Sequence, residues 1–173
     1  MKIGALVLFG SMVVASAASA QGVNDAQIAA IVVTANQVDI DAGKLAASMG
    51  STSEVKKFGE QMVKDHTGVN KSAVDLVTKL KVTPEDNPTA MSLKKGGMEN
   101  VARLKTMKGK AFDKAYIDHE VAYHEQVLEA MDKTLIPGAQ NEELKALLIK
   151  VRPAFLAHLA HAKHLQSTIA ATD

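Results

Sequence analysis

The chain has 173 residues, with 20 Lys and Arg against 19 Asp and Glu, and no cysteine or tryptophan. Without cysteine there is no disulfide, thiolate metal site, covalent haem attachment or thiol nucleophile, so the core alone must hold the fold. Balanced charge with no basic stripe argues against nucleic acid as a partner, and the aliphatic composition favours helices.

Residues 1–20 read as a secretory signal peptide. Lys2 supplies the positive start, Ile3 to Val14 the apolar stretch, and Ala18-Ser19-Ala20 a small-residue cleavage pattern. The expectation is an exported, soluble, periplasmic protein whose mature part, 21–173, is one helical domain. No later stretch approaches the roughly 18–20 apolar residues of a spanning helix. Nor does the sequence show the alternating strands of a barrel, so it does not support outer-membrane association.

Four long amphipathic segments follow. Helical spacing predicts the first from Asn24, a suitable N-cap, to Met49, with Ile28, Val32, Ala35, Ala42 and Ala46 on one face and Asp39 in the same series. Gly50 stops it. Ser51 and Glu54 carry the capping-box spacing and open the second segment, which runs to about Lys81 with His66 in its apolar seam. Thr83 to Pro88 is a loop. A weaker helix over about 89–107 is expected to be interrupted or loosened at Gly96-Gly97. The third long segment covers about Ala111 to Leu135 with His124 in its seam, followed by a Pro137-Gly138 turn. The fourth runs from about Glu142 to Ala171 with His158 in its seam, and Pro153 should kink or divide it. The predicted fold is an all-α, up-down four-helix bundle with one additional short helix.

Each long segment thus carries one titratable residue near its middle, on the face that points at its partners. In a bundle those midpoints fall in one layer. His66, His124, His158 and Asp39 could complete a sphere around a divalent transition metal such as zinc, iron, manganese or copper. Glu120, one turn before His124, could be a fifth ligand or an acceptor for a ring N–H. Asp65 and His161 are secondary candidates. His158, His161 and His164 are spaced by threes, which drift about 60° per step around a helix, so they cannot share one ligand point. His119 and His164 are read as flank residues. The rival reading is a buried polar network without metal, in which Asp39 accepts from one or two imidazoles and Tyr116, Tyr123 or water satisfies the third, locking helix register.

Carboxylate-bridged di-iron chemistry is disfavoured, because the sequence has no Glu-x-x-His. No nucleophile elbow, phosphate loop or His-Glu-x-x-His is present either, so nothing in the sequence marks a catalytic residue. A faint repeat places an aromatic residue, then Val, then His at matched spacing in Phe58-Val63-His66 and Tyr116-Val121-His124.

Asn36-x-x-Asp39-Ile40-x2-Gly43-x-Leu45-Ala46, Val55-x2-Phe58-x3-Met62-Val63-x-Asp65-His66, Phe112-Asp113-x-Ala115-Tyr116 and Pro153-x4-His158-Leu159 together resemble the domain of unknown function 4142 family. The resemblance extends from about Asp25 to Ile169. It implies an exported bacterial protein with a ferritin-like four-helix bundle and polar positions at the same four sites, the family commonly carrying Glu where this chain has Asp39. It implies no activity. Two functional expectations remain: an exported metal-binding protein, or a non-catalytic envelope stress, interaction or scaffold protein with an envelope partner or a second copy of itself.

Overall fold

The computed structural model describes residues 22–171, so the expected signal segment lies outside the described residues. The described residues are all-helical, with no strand. They form α1 (Asp25–Met49), α2 (Ser53–Leu80), α3 (Pro88–Lys105), α4 (Gly109–Ala130) and α5 (Glu142–Ala170). From α4 the chain passes through a π-helical segment, Met131–Leu135, and a last helical turn, Ile136–Gly138.

Local chemistry fixes the ends. Asn24 accepts from the Gln27 N–H while Gln27 returns a bond to the Asn24 N–H, a reciprocal box that satisfies two orphan donors of α1. At α2 the cap is Thr52, which accepts from the Val55 N–H, rather than Ser51. Ser51 is diverted because Asp113, in the first turns of α4, accepts from its N–H at 2.8 Å and its hydroxyl at 2.6 Å. Asn87 and Asn141 cap α3 and α5. At the opposite end of the molecule Asp25 accepts from the Gln140 and Asn141 N–H groups.

These clamps define the topology. Contacts between Asn36 and His66 and between Asn70 and Val33 run α2 antiparallel to α1. The pairs Gln166–Asp118 and Arg152–Asp132 run α5 antiparallel to α4. Because Asp113 meets the α1–α2 turn while Gln140 meets the start of α1, α4 is antiparallel to α1 and therefore parallel to α2. The strict alternation of directions expected from the sequence is corrected here. The cause is α3, whose 18 residues span about 27 Å at 1.5 Å per residue. It runs alongside α1 and returns the chain to the α1–α2 turn before α4 begins.

Neither helix is divided at the two positions where the sequence predicts a break, kink or loosening. α3 is continuous through Gly96-Gly97, because Gly97 is where α3 sits down on α1: a Cβ there would lie 2.6 Å from a Val38 methyl. α5 is continuous through Pro153, which is exposed, as is the Ile149 whose carbonyl would have received the missing N–H. Water can take that carbonyl. Pro137 likewise sits within a helical turn, after the π segment has lengthened the hydrogen-bond step so that the Ile136 N–H meets the Met131 carbonyl.

The core has two apolar halves. Ile28, Ile31, Leu128, Met131, Leu135, Leu148 and Phe155 belong to one, and Ala46, Phe58, Met62, Phe112, Tyr116, Ile117 and Leu165 to the other. Each large fully buried side chain contributes on the order of 1.5–3 kcal/mol. Between the halves lie Asp39, His66, Glu120, His124 and His158, all buried.

α1 and α2 touch backbone to backbone. A Cβ on Gly59 would stand 2.7 Å from the Ala46 Cβ, the Ala47 nitrogen and the Gly43 oxygen, so no rotamer can relieve it. Gly59→Ala is expected to destabilise by about 1–3 kcal/mol through overpacking. Gly68→Ala, in the same helix with nothing within 4 Å of the new carbon, should stabilise by up to about 1 kcal/mol. Urea unfolding of the two variants beside the parent checks both signs.

Candidate metal centre

Each helix delivers its polar residue for a local reason. On α1, Asn36 and Asp39 are three residues apart and share a face. Asn36 Nδ2 donates to the Val32 carbonyl at 2.7 Å, which turns its Oδ1 toward α2. There it lies 2.7 Å from His66 Nδ1. With the amide orientation set, Oδ1 can only accept, so His66 Nδ1 carries the proton and Nε2 keeps a lone pair.

The other two imidazoles obey the same logic. His124 Nδ1 lies 3.0 Å from the Glu120 backbone carbonyl, one turn back on α4. A carbonyl accepts only, so His124 Nδ1 donates and Nε2 is left as an acceptor. His158 Nε2 lies 2.9 Å from Asp65 Oδ2, on the solvent side of α2. The carboxylate accepts, leaving His158 Nδ1 bare. All three rings therefore spend their proton outside the cluster.

The remaining atoms have no partner from outside the cluster. His66 Nε2, His124 Nε2 and His158 Nδ1 are buried and unsatisfied, and the buried Asp39 and Glu120 carboxyls have only each other, through a proton shared between them. One ring nitrogen from each of His66, His124 and His158 lies within 4.8 Å of the others, and donor atoms of Asp39, Glu120 and His124 form a second such group. The groups share His124. The rings are 5.2–5.7 Å apart between centroids, and Phe155 covers one side with its ring centroid 5.0 Å from that of His66.

Burial sets the protonation. It pushes His66 down to about 2, helped by the neighbouring His124 and His158 imidazoles. It pushes His124 down to about 4 and His119, at the flank, also to about 4. The same burial raises Asp39 to about 8 and Glu120 well above the carboxylate range, each carboxyl feeling the other. Without a cation His66 and His124 stay neutral, and the Asp39 and Glu120 carboxyls retain protons at neutral pH.

The structure thus places all five sequence-derived candidates in one layer. Asp65 is present as the partner of His158. His161 is exposed, its ring edge-on to Phe58 at 5.0 Å, and His164 is exposed as well. His119 is half-buried and stacked on Tyr123. The side-chain contacts drawn for a polar network differ in detail. His66 Nε2 to Asp39 Oδ2 is 3.5 Å without a hydrogen bond, Tyr123 donates to the Ala35 carbonyl, and the Tyr116 hydroxyl has no partner. Asn36 is the contributor that the seam pattern missed. Its position one turn before Asp39 was the available signal.

A donor set of three imidazoles and two carboxylates suits a divalent first-row ion. Tetrahedral ligands at 2.0–2.1 Å from zinc sit roughly 3.4 Å apart. Closing the three nitrogens around an ion therefore takes a contraction of at most about 1.4 Å.

In chelator-treated protein, pH should act with opposite signs on either side of neutrality. Between about pH 6 and 8 the unfolded carboxyls are ionised while folded Asp39 and Glu120 keep protons, so stability falls as pH rises, by up to about 1.4 kcal/mol per pH unit per proton. Below about pH 6 the unfolded forms of His66, His119 and His124 take up protons that the folded forms refuse, and stability falls as pH drops toward 4. Urea midpoints should peak near pH 6. A midpoint that climbs steadily from pH 6 to 8 in chelator would remove the retained carboxyl protons.

The comparisons give a family and nothing narrower. The model described as Domain of unknown function (DUF4142) matches residues 11–165. No curated protein and no solved structure matches. Since that match spans most of the sequence, the chain belongs to the DUF4142 family.

Proposed function

We propose that this is an exported, periplasmic, ferritin-like four-helix protein that binds a divalent transition metal in the layer between its two apolar cores. The observation that carries the reading is the direction of the hydrogen bonds. Three buried imidazoles donate outward, to Asn36, the Glu120 carbonyl and Asp65. Their inward nitrogens have no partner, and the adjoining Asp39 and Glu120 carboxyls keep protons that a cation would displace. Leaving a buried polar group unsatisfied costs about 1–3 kcal/mol. A cluster of such acceptors in one place is matched by a cation.

His66 Nε2, His124 Nε2 and His158 Nδ1 would be the nitrogen ligands, with Asp39 and Glu120 supplying oxygen. Asn36 and Asp65 orient the rings, as groups hydrogen-bonded behind metal-bound histidines commonly do. The bound ion would supply Lewis acidity or, for iron, copper or manganese, a redox centre.

Two further supports concern fold and export. The crossover by α3 between two antiparallel helix pairs is the connection type of ferritin-like bundles, and family membership agrees with that fold. Lys2, the apolar stretch and Ala18-Ser19-Ala20 support secretion with Gln21 as the new N-terminus. No described helix is long and apolar enough to cross a membrane.

Elemental analysis of tag-free protein recovered from the periplasm tests the proposal. Near-stoichiometric zinc, iron, manganese or copper is expected in the parent and none in His66→Ala/His124→Ala. At a free-ion concentration a hundredfold above Kd, binding stabilises by about 2.7 kcal/mol, or roughly 5–10 °C in melting temperature for a domain of this size. Asn36→Ala should keep the site but weaken it about 10–100-fold. A parent with no metal and no thermal response to any of the four ions would sink the metal reading. An N-terminal sequence beginning at Met1 in the periplasmic fraction would count against cleavage at Gln21.

A further inference from the structure

Beside the polar layer, on the side of Phe155, lies a cavity of about 200 Å³. Asn36, Tyr123 and Phe155 belong to both: Asn36 orients His66, and the Phe155 ring packs against His66 and His124. Met131 and Leu135, the first and last residues of the π segment, line it together with Leu93 of α3. The exposed residues Thr89 and Gln126 bound its open side. No Lys, Arg, Asp, Glu or His lines it.

The geometry points to a binding site for one small, neutral, apolar molecule about the size of a substituted benzene ring. The size follows from the volume. An apolar cavity of about 150 Å³ stays dry and accepts benzene, so about 200 Å³ takes one ring with a methyl or ethyl group. The class follows from the lining. A charged ligand would find no opposite charge there and would lose its hydration uncompensated, whereas apolar walls left empty forfeit dispersion contacts on one side. The π segment adjoins the cavity, and such segments are rare and frequently found at functional sites. Here the distortion falls on Met131 and Leu135. The ligand's inner end meets Phe155, one ring away from the candidate metal ligands.

This inference does not require a bound metal, and its test is arranged accordingly. Protein labelled with ¹³C in its methionine methyl groups is treated with chelator and titrated with toluene. Saturable movement of the Met131 methyl resonance is expected, with the exposed Met91 and Met98 methyls unmoved and benzoate at the same concentration without effect. Ala35→Leu and Ala130→Leu each extend a side chain from the cavity wall and should weaken toluene binding at least tenfold. Two variants are used so that one misfolding leaves the other. A Met131 resonance unmoved up to the solubility limit of toluene, equal binding of benzoate, or unchanged binding by the folded variants would overturn the assignment. Toluene binding in a protein that takes up no metal would retain this site while removing the metal reading.

Discussion

The fold turns on the cost of placing three imidazoles and two carboxyls in one dry layer. Charged, any of them would be penalised by several kcal/mol, and neutral, each still needs a partner for every proton and lone pair. The protein meets the donor half of that requirement with Asn36, the Glu120 carbonyl and Asp65, each from a different local setting. It leaves the inward ring nitrogens open, beside carboxyls that hold protons a cation would displace. An all-apolar layer would have been the simpler way to join the two cores, so the half-open arrangement is the feature that a function must account for.

Everything else serves to bring four helices to that layer in register. Asp113 holds the α1–α2 turn at one end and Asp25 holds the α4–α5 turn at the other. Both are side chains accepting main-chain N–H groups, so each fixes height along the bundle and not merely proximity. The glycine contact between α1 and α2 brings Asp39 and His66 together by removing side chains from between the helices. α3, packed along α1, lets the second helix pair enter from the same end as the first turn.

Much of this was legible in the sequence because helical periodicity is a local property. Asp39, His66, His124 and His158 stand out as polar residues in apolar seams, and Glu120 is one turn from His124. What periodicity cannot carry is any partner defined by another helix. Asp65 reads as a secondary candidate beside His66, and its actual partner, His158, comes to it only through α5. Asp113 gives no sign that it will capture the Ser51 N–H 62 residues away, which is why the expected capping box shifts by one residue to Thr52. Pro153 and Gly96-Gly97 were misread for the opposite reason. Local propensity marks them as breaks, but an exposed stretch of helix around Pro153 and a close helix crossing at Gly97 make them tolerable.

The division of the candidate ligands between the two helix pairs has a consequence for folding. α1 and α2 contribute Asp39 and His66, while α4 and α5 contribute Glu120, His124 and His158. Each pair is joined by a short connection and can assemble from contacts local in the chain, which form fast. Docking one pair on the other requires contacts 60 to more than 100 residues apart, such as Ser51 with Asp113 and Asn141 with Asp25, and such long-range closures come late. Neither pair alone carries three imidazoles. The complete donor set therefore comes into being only at the final docking step, which would make ion capture a reporter of finished tertiary structure and a latch upon it.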